Sequence, residues 1–430
     1  MYRTVLLRVL AVCVLLLAAC GGGAENATTT SEAASPTTTS EAASPTTTEG
    51  SASTTEATPT SEAPAGDPIV IGLSKGLTGF WVAFDGPGLL GAEIAVDEIN
   101  AAGGVAGRPL ELQVCDAKSD VNQAAACGLE LVESGVDMML TTCDYDFGGP
   151  AAREANKVNM ISIGCAGATN FGVEGIGPYH YNTYAGNPGE AATIVEYGYN
   201  ELGFRKPYLL ADLTIEYSKN LCELVEEHWN TVAGEGTIAG KDTFLNDDPS
   251  IAVQVSKIKA SGADSVIVCS FIPGGASALR QIRGDGIDLP IFGTSSFDGD
   301  YWIEAIPDLS NFVSPVPLSE WGDPTNNPLV DTVIERTGEP PQVFTYLLHD
   351  YSAIYILKAA IEQAGGATDG DSMKAVLDTW VDEPTPTGPT TYTPECHISL
   401  NRPFGIVRIE NGVREYLGDF QPESVPPSNC

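Results

Sequence analysis

The side chains that could do chemistry in this chain sit in a few recognisable places. Aromatic and acidic residues follow short apolar runs directly: Phe80 and Trp81 after 69–73, Asp144-Tyr145-Asp146 after 136–141, Tyr217 after 208–211 and Phe271 after 265–270. Large rings on glycine-flanked loops can stack on a small molecule, and a carboxylate among them can accept a charge-assisted hydrogen bond. That is the chemistry of binding. Signs of catalysis are weak. The four histidines, His180, His228, His349 and His397, show no His-Glu-x-x-His spacing, and the chain carries no Gly-x-Ser-x-Gly elbow and no Walker A loop. The string GVEGIG at 172–177 fits a loose glycine pattern but does not join a strand to a helix. No catalytic residue, metal site or cofactor is expected. Each ring has a competing role as packing beneath its own loop, and Asp144 and Asp146 could equally cap the helix that starts just beyond them.

The cysteines point to a compartment. Arg3 and Arg8 precede an apolar run at 9–17, too short to span a bilayer, that ends in Leu17-Ala18-Ala19-Cys20. This resembles the bacterial lipobox, which implies lipidation of Cys20 and removal of Cys13 with the signal segment at 1–20. Of the ten cysteines, an even set of eight is then left in an oxidising setting, which favours four disulfides over a metal site. The expected location is secreted and lipid-anchored on the outer face of a bacterial membrane.

Residues 21–66 contain Ala, Ser, Thr, Glu, Pro and Gly but no aromatic residue, and the unit TTTSEAASP occurs at 28–36 and again at 37–45. Such a tether cannot bury a core. Over all 430 residues the net charge is −36, which repels nucleic acid and anionic lipid surfaces, so neither is an expected partner.

The elements that must position these residues start at Asp67. Apolar runs alternate with helical periodicity as β-α-β-α-β up to residue 163, and the rhythm restarts from 190 to 292. One sheet of that width would be unusual, so two doubly wound parallel-sheet lobes are expected. Near the end, 404–409 and 413–417 flank Asn411-Gly412, a strong hairpin signal. Positions in these elements suggest four bridges. Cys115 ends a strand and Cys127 lies on the helix packing back along it. Cys143 and Cys165 follow neighbouring strands. Cys222 is on a second-lobe helix and Cys269 ends a strand there. Cys396 and Cys430 bracket the tail hairpin.

Several stretches resemble the branched-chain amino-acid binding receptors, a type I periplasmic-binding family: Leu77-Thr78-Gly79 with GAEIAVDEINAAGGVAGRPLEL, CDAKSDVNQAAAC, Gly167-Ala168-Thr169-Asn170, and PGGASALRQIRGDGIDLPIFG. The resemblance covers Asp67 to about Leu417. It implies a three-crossover hinge near 181–187, 314–318 and 384–396, with lobe 1 at 67–186 and 317–385 and lobe 2 at 187–316 and 386–430. It also implies a cleft ligand contacted by Phe80, Trp81, Asp144, Tyr145, Gly167, Ala168, Thr169, Tyr217, Phe271 and Ser295, delivered by a monomer to the permease of an ABC importer. Two positions depart from the family. Asp144 stands where a small hydroxyl residue usually holds the ligand carboxylate. Thr294-Ser295-Ser296 stands where a glutamate often pairs with the ligand ammonium. Amino acids or related amides are therefore joined as candidates by aromatic or cationic metabolites. The rival readings are a sensor that passes closure to a signalling partner and a secreted enzyme on an α/β scaffold.

Overall fold

Two sheets, each built from runs of apolar sequence, place the cleft. In the first, β1 (Ile69–Lys75), β2 (Leu110–Asp116), β3 (Met138–Thr141), β4 (Ser162–Gly164) and β5 (His180–Asn182) are all parallel in the order β2-β1-β3-β4-β5. The coordinates are a computed structural model describing residues 64–426 and 430, which lie in one unit spanning Pro59–Cys430. The signal segment, Cys20 and the tether up to residue 63 lie outside the described residues.

Helices α1 (Val82–Ala101), α2 (Val121–Ser134) and α3 (Tyr145–Lys157) connect the first strands, as right-handed crossovers between parallel strands require. Local chemistry sets their ends. Asp120 caps α2 by accepting from the Gln123 N–H at 2.8 Å, and Gly135 ends it in the left-handed conformation at φ 83°. The chain then enters the second lobe through α4 (Gly186–Asn200).

The second sheet contains β6 (Pro207–Asp212), β7 (Gly240–Phe244), β8 (Ser265–Cys269), β9 (Ile291–Phe292), β10 (Phe312–Pro317), β11 (Phe404–Glu410) and β12 (Val413–Phe420), in the order β12-β11-β10-β9-β8-β6-β7. Its helices are α5 (Glu216–Ala233), α6 (Ala252–Ser261) and α7 (Gly274–Gly284). Only β10-β11-β12 pair antiparallel. The turn between the last two strands has Asn411 at φ 52° and Gly412 at φ 72°, the paired positive values that the Asn-Gly signal predicts.

After β10 the chain returns to the first lobe as α8 (Pro328–Thr337), α9 (Phe344–Gln363) and α10 (Gly370–Leu377). The α9 helix lies against α1 at close range: a Cβ on Gly91 would sit 2.1 Å from the Leu347 carbonyl oxygen, so only glycine allows this contact. The third passage falls later than 384–396. Ile398 still bridges to Asn182 of the first sheet, and β11 of the second sheet begins at Phe404. The delay is local: Glu383 pairs with Thr390, Thr393 pairs with Cys396, and the Tyr392 hydroxyl donates to the Asn182 carbonyl at 3.0 Å. These turns keep the 382–398 stretch on the first lobe.

Three disulfides are present, Cys115–Cys127, Cys143–Cys165 and Cys396–Cys430. The expected Cys222–Cys269 bridge is not. Both residues are buried free thiols. Burial pushes the Cys269 thiol well above its usual range.

Candidate ligand-binding cleft

The carboxyl ends of the strands in both sheets converge on one small cavity, of about 40 Å³. The first lobe supplies Trp81 from the start of α1, with Phe84 one turn further along; Asp144 from the start of α3; Gly167 from the loop after β4; and Thr345 and Tyr346 from the start of α9. The second lobe supplies Ile215 and Tyr217 at the start of α5, Phe271 after β8, and Ser295, Ser296 and Asp298 after β9. Tyr184 enters from the first crossover. The Cys143–Cys165 bond closes one side and ties the loop after β3 to the loop after β4.

Beneath the first-lobe wall lies a buried ionic cluster. Lys75 Nζ is 2.7 Å from an Asp350 oxygen and donates to the Thr141 carbonyl at 2.7 Å. Asp85 accepts from the Gly76 N–H at 2.6 Å and the Thr142 hydroxyl at 2.7 Å, so it pins the loops that carry Trp81 and Asp144. Burial raises its carboxyl to about 6, against the pull of Lys75.

Asp144 is 1 % exposed and caps α3: its Oδ1 accepts from the Asp146 N–H at 2.8 Å and the Phe147 N–H at 3.0 Å. Its Oδ2 has no hydrogen-bond partner among the described residues, and the residue lines the cavity. Burial, and next the charge of Asp146, raise the carboxyl to about 7 against the two N–H bonds that lower it.

The second-lobe wall is a hydroxyl network around Glu190 of α4. The Tyr184 hydroxyl donates to Glu190 at 2.7 Å, the Tyr217 hydroxyl at 3.0 Å and the Ser295 N–H at 2.7 Å. Ser295 Oγ lies 2.8 Å from the Tyr184 hydroxyl and 3.2 Å from that of Tyr217. Burial raises the Glu190 carboxyl, and the donors around it pull the other way.

Several contacts hold the lobes together. The Glu216 N–H donates to Asp146 at 2.8 Å, the Thr169 N–H to Asn220 at 3.2 Å, and Thr345 gives Asp298 its N–H at 2.6 Å and its hydroxyl at 2.8 Å. Trp81 and Phe271 face each other across the cleft with centroids 6.5 Å apart and planes 4° from parallel. Gly167 permits this closure: a Cβ there would meet a Tyr217 ring carbon at 2.7 Å.

Of the residues singled out in the sequence, Trp81, Asp144, Gly167, Tyr217, Phe271 and Ser295 line the cavity, and four do not. Phe80 is 46 % exposed and packs edge-on against Phe147. Tyr145 lies beneath the Arg153 guanidinium, 5.0 Å from its centroid, because one step along a helix turns a side chain about 100° away from its neighbour. Ala168 is fully buried behind the loop, and Thr169 spends its N–H on Asn220. Sequence reasoning did not reach Tyr184, Tyr346 or Glu190. All four histidines are buried and hydrogen-bonded: His180 to Ser162, His228 to Glu196, His349 to Thr183 and His397 to the His180 carbonyl. The grouping Cys143, Cys165 and Asp350 has metal-like spacing among the described residues, but its two sulfurs are joined to each other.

Residues 68–414 match the family model for periplasmic binding protein. The chain belongs to that family. Its members are binding proteins rather than enzymes. A Leu/Ile/Val-binding protein homologue of Brucella melitensis is 24 % identical over 352 residues, covering 80 % of this chain and 92 % of that protein. A leucine-, isoleucine-, valine-, threonine- and alanine-binding protein of Pseudomonas aeruginosa is 26 % identical over 332 residues, covering 76 % and 86 %. Among solved structures, the branched-chain amino acid transporter substrate-binding protein LivJ of Streptococcus pneumoniae, in complex with isoleucine, superposes with a TM-score of 0.71 at 24 % identity, over 83 % of this chain and 100 % of that one. The shared fold is the two-lobed type I architecture described above. Homologues are periplasmic or extracellular, and among the described residues no helix is long and apolar enough to cross a membrane.

Proposed function

We propose that the chain is a lipid-anchored receptor that closes as a monomer on one small solute and hands it to a permease. The observation that carries this reading is the cavity itself, shared between lobes that the contacts Asp146–Glu216, Thr169–Asn220 and Asp298–Thr345 join across the cleft. A ligand that touches both walls shifts the population toward this shut state, and the permease reads that state.

The relatives' names speak of leucine, isoleucine and valine. In this chain the ligand is a neutral or cationic solute instead, an amide or amine in preference to a branched-chain amino acid. Asp144 supports this, because a buried carboxylate beside the ligand disfavours a second one. Native mass spectrometry of protein purified from its own host tests the reading directly. One small molecule retained per chain, lost on mild denaturation, is the expected result; a chain that retains nothing and gains no stability from a solute screen refutes it. The anchor is tested by Cys20→Ser, which should move the protein out of the detergent phase on phase separation; continued partitioning with membranes refutes the lipid.

A further inference from the structure

The cavity has the composition of a cage for a cation. Six aromatic side chains surround it: Trp81, Phe84, Tyr184, Tyr217, Phe271 and Tyr346. Trp81 lies 5.3 Å from Phe84, 6.2 Å from Tyr346 and 6.5 Å from Phe271 between ring centroids, so three neighbours converge on one indole. No Lys, Arg or His is among its lining residues. Its two carboxylates differ. Asp298 is fully engaged, with Arg414 at 3.2 Å and with Gly299 and Thr345. Asp144, which lines the cavity, has one oxygen bonded and one without a hydrogen-bond partner among the described residues.

The N-terminus of α3 is where an incoming carboxylate would find free N–H groups and a favourable dipole. That place is taken: the Asp146 and Phe147 N–H groups already hold the carboxylate of Asp144. The nearby Thr169 N–H is bound to Asn220. Among the described residues, the one unpartnered buried side-chain donor on the cavity wall is Trp81 Nε1. The chain thus supplies from its own sequence the negative group that an amino acid would bring.

Building on the receptor reading above, we propose that the cleft binds a compact alkylammonium ion with no carboxylate, its positive head on Asp144 Oδ2 and its alkyl part between the rings of Trp81 and Phe271. Ring faces attract such a cation, and charge-assisted hydrogen bonding to the carboxylate fixes it. Tyr184 and Tyr217 help, since donating their hydroxyl protons to Glu190 enriches the electron density of their rings.

Calorimetry on the full mature chain can decide this with probes that dissect one ligand: isoamylamine, which is leucine without its carboxylate; isocaproate, which is leucine without its amine; leucine itself; and ethyltrimethylammonium. The amine or the quaternary ion should bind at least about tenfold more tightly than leucine, and isocaproate should not bind. Asp144→Asn keeps a good cap and removes the charge, so it should weaken the amine at least about tenfold while leaving the unliganded fold intact. Affinity should also fall as pH drops below about 7, where a proton competes for Asp144; the charged groups facing it are Asp146 on its own helix and Asp85 on α1. Leucine or isocaproate binding as tightly as the amine, or amine binding that ignores both Asp144→Asn and pH, overturns the cation site but leaves the receptor standing. The same holds if the molecule retained from the host is uncharged or anionic. A chain that binds no probe and retains no host molecule overturns both.

Discussion

The two walls of the cleft are both polar, but they spend their polarity differently. On the second-lobe side Tyr217 and Ser295, with Tyr184 from the first crossover, close on Glu190 in a network of hydroxyl and N–H donors. On the first lobe the charges are larger and not all matched: Lys75, Asp85 and Asp350 form the floor, and the cavity-lining residues Asp144 and Trp81 each keep a polar atom, Oδ2 and Nε1, without a hydrogen-bond partner among the described residues. A finished wall can only accept a shape, whereas a wall with open valences can choose a chemistry. On the proposed reading the first lobe sets which solute enters, and the second sets how the solute is enclosed.

The contrast breaks most visibly at the floor. Lys75→Met leaves two buried carboxylates facing each other, and should cost about 3–5 kcal/mol in chemical denaturation, more than any single change on the opposite wall. Glu190→Gln swaps an acceptor-only group for one that also donates, so the two tyrosine hydroxyls lose a shared partner. A cost of about 1–2 kcal/mol in stability is expected, with a visible loss of ligand affinity in the same samples. A stability loss equal to that of Lys75→Met would show that both walls rest on buried charge.

The pH dependence of the unliganded protein sharpens the comparison. Asp144 and Asp85 sit at about 7 and about 6 in the fold against an ordinary value of 3.8, so the folded state holds their protons more tightly than the unfolded chain does. Their contribution to stability is complete below pH 3.8 and is lost as pH rises through about 6 to 7. Asp242 and Asp116 are shifted downward, and their contribution is lost in the opposite direction, at lower pH. Melting temperature should therefore decline from pH 5 to pH 8, and Asp144→Asn should flatten that decline by on the order of a few kcal/mol. An unchanged slope would place Asp144 in contact with solvent. The smallest effect belongs to the lobe contact: Thr345→Val removes one of two bonds to Asp298, costs about 1 kcal/mol or less, and should raise the open fraction seen by small-angle scattering.

Much of this geometry was legible in the chain. Apolar runs separated by helical periodicity gave the strands, and a parallel strand presents whatever follows its carboxyl end to the cleft, which is why Trp81, Asp144, Tyr217 and Phe271 could be found. Tyr145 and Phe80 were misplaced by the same rule, because it locates a loop and not the direction of each side chain. Tyr346 and Glu190 left no local mark. They reach the site on α9 and α4, helices that arrive by crossing between lobes, and such long-range returns are not written in any periodicity. The third passage, which the family resemblance puts at 384–396, falls later because local turns hold that stretch against the first lobe.

The Cys143–Cys165 bond joins the loop bearing Asp144 to the loop bearing Gly167, the residue whose missing side chain lets the lobes meet. Such bonds persist in oxidising compartments and are kept reduced in the cytosol. Where the bond is reduced, these two loops are no longer tied to each other.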